Sequence, residues 1–162
     1  MNYISFLKEK TKDFSFISII RLEFESLFFF IASSIPTTLG VIFRALLVKV
    51  FFKKCDGFAW IQSRVIFVHT DRLTVGTNFG VNSGTYINGI GGIEIGNYVL
   101  IGNNVTISSG LHPIEGNIPE IFARITIPKK IVIQDDVWIG AGAVIMPGVT
   151  VAKGSVIGAN SV

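Results

Sequence analysis

Few side chains in this 162-residue chain can move a proton or hold a metal near neutral pH: two histidines, His69 and His112, and one cysteine, Cys55. Imidazole is the base whose proton affinity lies closest to neutrality, so a histidine beside a reacting hydroxyl is the first chemistry to consider. His112 stands in Leu-His-Pro at the point where a regular pattern breaks, so a loop leaving there closes over a pocket. A lone histidine ending a repeat is better explained by packing, and its surroundings must decide. His69 lies in an irregular stretch with no partner recognisable from sequence. Two histidines are fewer than a three-histidine zinc centre needs, so no metal is expected. Gly89-Ile-Gly-Gly-Ile-Glu-Ile-Gly invites a dinucleotide-loop reading, but no helical pattern opens after its glycines. Those glycines, with Asn78, Asn82, Asn88, Asn97, Asn103 and Asn104, suit tight corners instead.

The elements that must position His112 repeat every six residues. Ile95, Ile101 and Ile107 lead one block, with Val99, Val105 and Leu111 in fifth place. Ile133, Ile139, Ile145, Val151 and Ile157 lead a second, with Val137, Ala143, Val149, Ser155 and Ser161 in fifth place. One aliphatic per six residues fits neither an amphipathic helix nor an alternating strand, and it predicts a solenoid of short strands, a parallel β-helix. Val81, Ile87 and Ile93 keep the same step, and 58–94 reads as the irregular start of the solenoid. The interruption from His112-Pro113 to Lys130 reads as a loop carrying Glu115, Glu120 and Arg124.

The first third is different. Residues 1–57 hold eight basic against five acidic side chains, the whole net charge of +3, and ten of the 14 Phe. Residues 14–35 and 39–54 predict two helices around a turn at Pro36, with Thr37 and Thr38 available as caps. Ser26 to Phe43 is uncharged, but Ser33, Ser34, Pro36, Thr37, Thr38 and Gly40 interrupt it, which argues against a spanning helix. Basic residues among Phe and Leu suit a hairpin lying at the cytoplasmic face of a membrane; packing on the repeats or on another subunit is the alternative. The repeat region is electrically neutral, which disfavours nucleic acid as a partner. A single cysteine excludes an intrachain disulfide and fits a reducing cytosol. The expected division is 1–57, a helical and membrane-interfacial segment, and 58–162, the repeat domain.

Three stretches carry a family resemblance: Ile95-Gly-Asn-Tyr-Val-Leu-Ile-Gly-Asn-Asn-Val-Thr-Ile; Leu-His112-Pro; and Ile131-Val-Ile-Gln-Asp-Asp-Val-Trp138-Ile-Gly-Ala-Gly-Ala-Val-Ile-Met-Pro147-Gly-Val-Thr-Val. Over about 58–162 the chain resembles the hexapeptide-repeat acyltransferases. Within them it is similar to the galactoside, maltose and serine acetyltransferase branch, and to polysaccharide O-acetyltransferases most of all. The resemblance implies a left-handed β-helix, a homotrimer, and acetyl-CoA bound in a groove between subunits. It makes His112 the catalytic base and the Ala141 amide the oxyanion donor, a role worth roughly 3 kcal/mol in such sites. It assigns Trp138, Gly140, Ala141, Gly158 and Ala159 to the CoA groove, with Trp138 also readable as an outer-wall packing residue. Asn82, Asn88 and Arg124 become candidate acceptor contacts, the two asparagines being equally readable as corners. Gln134 stands where the family often has Gly, and the loop spacing around Arg124 is not that of the maltose and galactoside members.

The function implied is acetyl-CoA-dependent O-acetylation of a sugar hydroxyl, on a glycan or lipid-linked glycan of surface polysaccharide biosynthesis. N-acetylation of an amino sugar would use the same base and groove. Val162 falls inside a hexapeptide where relatives continue with further CoA contacts and a cap, so a truncated chain is expected. That leaves a non-catalytic scaffold as the other alternative.

Overall fold

The computed structural model describes residues 15–112 and 126–162. Helix α1 (Phe16–Ser33) starts where the Ser15 hydroxyl accepts the Ser18 N–H at 3.1 Å, an N-cap in extended conformation. It stops before Ile35-Pro36, because proline disfavours helix in the residue preceding it. Helix α2 (Thr38–Phe51) follows, with Thr37 extended at its N-cap but making no side-chain cap bond. The two helices and the proline turn are as the sequence suggests.

A solenoid of short parallel strands follows. The first coil is β1 (Lys54–Cys55), β2 (Ala59–Ile61) and β3 (Ile66–Val68), and the second is β4 (Leu73–Val75), β5 (Phe79–Val81) and β6 (Tyr86–Asn88). The third is β7 (Ile93–Ile95), β8 (Leu100–Ile101) and β9 (Thr106–Ser108). An antiparallel arm, β10 (Gly110–Leu111) with β11 (Ile127–Pro128), leaves the wall there. The fourth coil is β12 (Ile131–Ile133), β13 (Trp138–Ile139) and β14 (Val144–Ile145), and the fifth begins with β15 (Thr150–Val151) and β16 (Val156–Ile157). Stacked coils make three walls: β1-β4-β7-β12-β15 (first), β2-β5-β8-β13-β16 (second) and β3-β6-β9-β14 (third).

Inward residues form one continuous core. Ile101, Ile107, Ile139 and Ile145 lie on it at six-residue steps, and the fifth-place residues Val99, Val105, Val137 and Ala143 are buried beside them. One step differs from the sequence reading. Ile93 pairs with Leu73 and Ile131, whereas the register partner of Val75 and Ile133 is Ile95. From Ile87 the step to Ile95 is therefore eight residues, not six. Ile93 is buried all the same, because positions two apart in a strand face the same side. Turns between walls use left-handed residues: Asn78, Tyr98 and Asp136 at one corner, Arg64, Asn104 and Asn160 at another, with φ of 55 to 59°.

The hairpin closes the first-coil end. Its inner residues Phe29, Ala32, Leu47 and Val48 join the solenoid core, α1 packing on β3 and α2 on β1 and β2. Arg44, 1% exposed, ties the cap down by donating to the carbonyls of Ile61 (2.8 Å), Ala32 (2.6 Å) and Ile35 (2.8 Å). Burial pushes its pKa below the usual arginine value. No helix among the described residues is long and apolar enough to cross a membrane.

Candidate active site

The candidate residues lie at two corners of the solenoid. At the corner between the third and first walls, Ser109 is fully buried and roots the arm that carries His112. Its hydroxyl donates to the Asn88 carbonyl (2.9 Å) and accepts the Gly91 N–H (2.8 Å), and its carbonyl accepts the Lys129 N–H (2.8 Å). Both feet of the arm are thereby fixed. His112 follows β10, exposed, just past the Leu111–Ile127 pair, and makes no hydrogen bond among the described residues. Pro113, Glu115, Glu120 and Arg124 lie outside the described residues.

The second corner lies between the second and third walls. There Gly102 sits directly under Ala141: a Cβ on Gly102 would be 2.7 Å from the Ala141 nitrogen. Gly140 repeats the arrangement one coil on, where a Cβ would be 2.6 Å from the Ala159 nitrogen. Neither N–H meets an acceptor among the described residues. The buried Thr85 hydroxyl donates to the Gly102 carbonyl (2.8 Å) and accepts the Val105 N–H (3.2 Å), which holds that corner in place. A backbone N–H without an acceptor can hold an oxygen that gains negative charge. Gly102 was not singled out from sequence. Its signal is that it follows Ile101 as Gly140 follows Ile139 one coil on, a relation visible only once the register is known.

Trp138 is 54% exposed on the outside of the second wall, in register with Leu100 and Val156. Trp60 lies in the same row of that wall, which is apolar outside. Gly158 and Ala159 are exposed one coil beyond Gly140 and Ala141.

Between the two corners runs the outer face of the third wall. Register places Ile66, Tyr86, Thr106 and Val144 in one row and Val68, Asn88 and Ser108 in the next, all outside the core. At its first-coil end this face runs into a cleft of about 790 Å³ against α1, lined with Ser26, Ser33, Ser34, Ser63, Ser83 and Arg64 besides apolar residues. Hydroxyls, an amide and an aromatic ring on one face suit a polyhydroxylated ligand. Asn88 belongs to that face, although its side-chain oxygen already accepts the Ile90 N–H at 3.1 Å. Asn82 begins the second-to-third corner in the column of Gly102 and Gly140, and its carboxamide has no partner among the described residues. Tyr86, Thr106 and Ser108 were not identified from sequence because coil lengths of 20, 38 and 18 residues hide which residues share a row.

His69, at φ 57° before a 3₁₀ turn (Thr70–Arg72), is two coils from His112. Burial, and then Arg72, hold its pKa below the usual value.

Comparison with known proteins is consistent in one direction. Residues 130–162 match the family described as bacterial transferase hexapeptide (six repeats), and 75–109 match the hexapeptide repeat of succinyl-transferase. The chain is 36% identical over 119 residues to the galactoside O-acetyltransferase of Escherichia coli (strain K12), covering 74% of this chain and 58% of that protein. It is 44% identical over 69 residues to the galactoside O-acetyltransferase of Lactococcus lactis subsp. lactis (strain IL1403), covering 43% and 32%. The chain thus spans less than two thirds of these curated relatives. A galactoside acetyltransferase solved in complex with coenzyme A superposes with a TM-score of 0.81 at 30% identity, covering 93% of this chain and 74% of that one. A maltose O-acetyltransferase from Clostridium difficile 630 shares the fold, with a TM-score of 0.76 at 24% identity over 90% of this chain and 76% of that one.

Proposed function

The chain belongs to the hexapeptide-repeat acetyltransferase family, in its galactoside and maltose O-acetyltransferase branch, and from that premise we propose that it transfers an acetyl group from acetyl-CoA to a sugar hydroxyl. The observation that carries the reading is the Ala141 N–H above Gly102, which meets no acceptor among the described residues. In the proposed reaction, the acceptor hydroxyl attacks the thioester carbonyl while the His112 imidazole takes its proton. The carbonyl oxygen, negative in the tetrahedral intermediate, is held by the Ala141 N–H. Collapse of the intermediate breaks the carbon–sulfur bond, and the imidazolium returns the proton to the departing CoA sulfur.

Trp138, Gly140, Gly158 and Ala159 line the path of the CoA arm in this reading, and the related galactoside acetyltransferase was solved with coenzyme A bound. Asn82, Asn88 and Arg124 contact the acceptor, with Tyr86, Thr106 and Ser108 added from the third wall. His112 and Ala141 stand on different corners of one chain with the third wall between them. The base of one copy therefore works with the amide of another, and the apolar outside of the second wall supports the homotrimer this requires. The acceptor is a glycan or lipid-linked glycan of polysaccharide biosynthesis, met in the cytoplasm at the inner face of the membrane.

The test is acetyl transfer to a panel of sugars and lipid-linked glycans, read by mass spectrometry. His112→Ala is expected to lower turnover by about 10²- to 10⁴-fold, with an unchanged melting temperature. Full activity in that variant overturns the assignment of the base, and absence of saturable acetyl-CoA binding by calorimetry overturns the enzyme reading in favour of a scaffold.

A further inference from the structure

The cap hairpin has two apolar faces, and only one is used. Along α2, Leu39, Ile42, Leu46 and Val50 recur on the side opposite the buried Val41, Arg44, Ala45 and Val48; Leu39 is 74% exposed and Val50 73%. On α1, Ile20, Phe24, Leu27 and Ile31 lie opposite the buried Glu25, Phe29 and Ala32. Helical periodicity would put polar residues on such a side. Here Glu23 is the charge that interrupts α1, and Lys49 lies at the far end of α2. The inner faces close one end of the solenoid, so the outer faces point away from it along its axis. They form a platform across that end.

We propose that this platform docks on an anionic lipid surface, with the solenoid axis standing along the bilayer normal. Charge selects lipid as the occupant. Lys49, Lys53 and Lys54 are exposed where α2 meets the first coil; Asp56 pairs with Lys54 at 2.8 Å, and Asp71 lines a shared pocket with Lys53, Arg72 and Lys130. Residues 1–57 carry the entire net charge of +3, while the remainder is neutral. A greasy face rimmed by lysine matches the acyl–headgroup boundary of an anionic leaflet, where apolar side chains bury and each ammonium adds attraction. Neither helix is long and apolar enough to span, so the hairpin lies in the interface. A second copy docked cap to cap would bring like-charged rims together. In a trimer of parallel solenoids three platforms face one way, and their binding multiplies. The docking stands without the transfer reaction; only its use in meeting a lipid-linked acceptor rests on that reading.

The test is co-sedimentation of the full chain with vesicles of phosphatidylcholine alone and with about one third phosphatidylglycerol, at about 0.1 and about 0.5 M salt. Binding is expected on the anionic vesicles, about tenfold weaker on neutral ones and at high salt. Leu39→Ser with Leu46→Ser is expected to weaken it about tenfold or more, while acetyl transfer to soluble sugars stays at the parent level. The exposed Lys53→Gln is a second variant that leaves the core untouched, expected to bind about fivefold more weakly on anionic vesicles alone. Absence of binding, or unchanged binding by the double variant, overturns the proposal. So does a doubled solution mass in light scattering that the double variant abolishes, which would assign the face to a second copy.

Discussion

Gly102 shows how a residue with no side chain shapes a reactive site. An L side chain there would meet the backbone of the next coil, since its Cβ would stand 2.7 Å from the Ala141 nitrogen and 2.9 Å from the Ile139 carbonyl oxygen. Backbone has little room to give, so Gly102→Ala is expected to lower stability by about 1–3 kcal/mol through overpacking. It also covers the amide proposed to hold the oxyanion, and kcat is expected to fall about 100-fold with the acceptor KM unchanged. Steady-state kinetics beside a denaturant titration separate the two effects. A kcat at the parent level would remove Ala141 from the mechanism.

At the scale of elements, the cap is held by polar contacts that its apolar sequence does not advertise. Glu25, 1% exposed on α1, faces Thr70 of the 3₁₀ turn. Its carboxylate lies 2.7 Å from the Thr70 hydroxyl, which also lies 3.0 Å from the Phe51 carbonyl. The Thr70 hydroxyl and its N–H (3.3 Å to the other oxygen) both donate to this carboxylate. Burial raises the Glu25 pKa above its usual 4.5, against the lowering by Thr70 and Arg21. The folded chain therefore binds a proton that the unfolded chain releases. The stabilisation is fully present below about pH 4.5 and is lost as pH rises through the raised folded value. Glu25→Gln, which keeps an acceptor for Thr70 and removes the buried charge, is expected to raise unfolding free energy at neutral pH by about 1 kcal/mol. It should also flatten the decline of the denaturation midpoint as pH rises above about 4.5. A parent-like slope in the variant would assign that decline to another group.

At the scale of the whole molecule, the three walls differ in chemistry. The first presents Lys54, Thr74, Glu94, Val132 and Thr150 outward, with Lys130 paired to Glu94 at 2.7 Å, and is mostly polar. The second is apolar outside, and the third carries mixed hydroxyl, amide and apolar groups. His112 and Ala141 flank the third, which motivates a site shared between copies. Co-assembly of His112→Ala and Gly102→Ala subunits tests it. Random mixing in a trimer leaves about one quarter of shared sites with both groups intact, so activity should return to about a quarter of the parent level. A site contained in one chain would recover nothing.

Sequence alone determined the solenoid, the two helices about Pro36 and the candidate histidine. These depend on short-range rules: one buried aliphatic per short strand, a proline that ends a helix, and a repeat that breaks beside His112. It placed Ile93 in the wrong register and passed over Gly102, Tyr86, Thr106 and Ser108. Each depends on which residue of one coil lies over which residue of the next. That is set by corner lengths that change between coils, and hexad periodicity carries no record of them. The tertiary structure alone decided that the hairpin closes the core with one face and leaves the other bare. Both faces are apolar in sequence, and only packing distinguishes the one the solenoid covers.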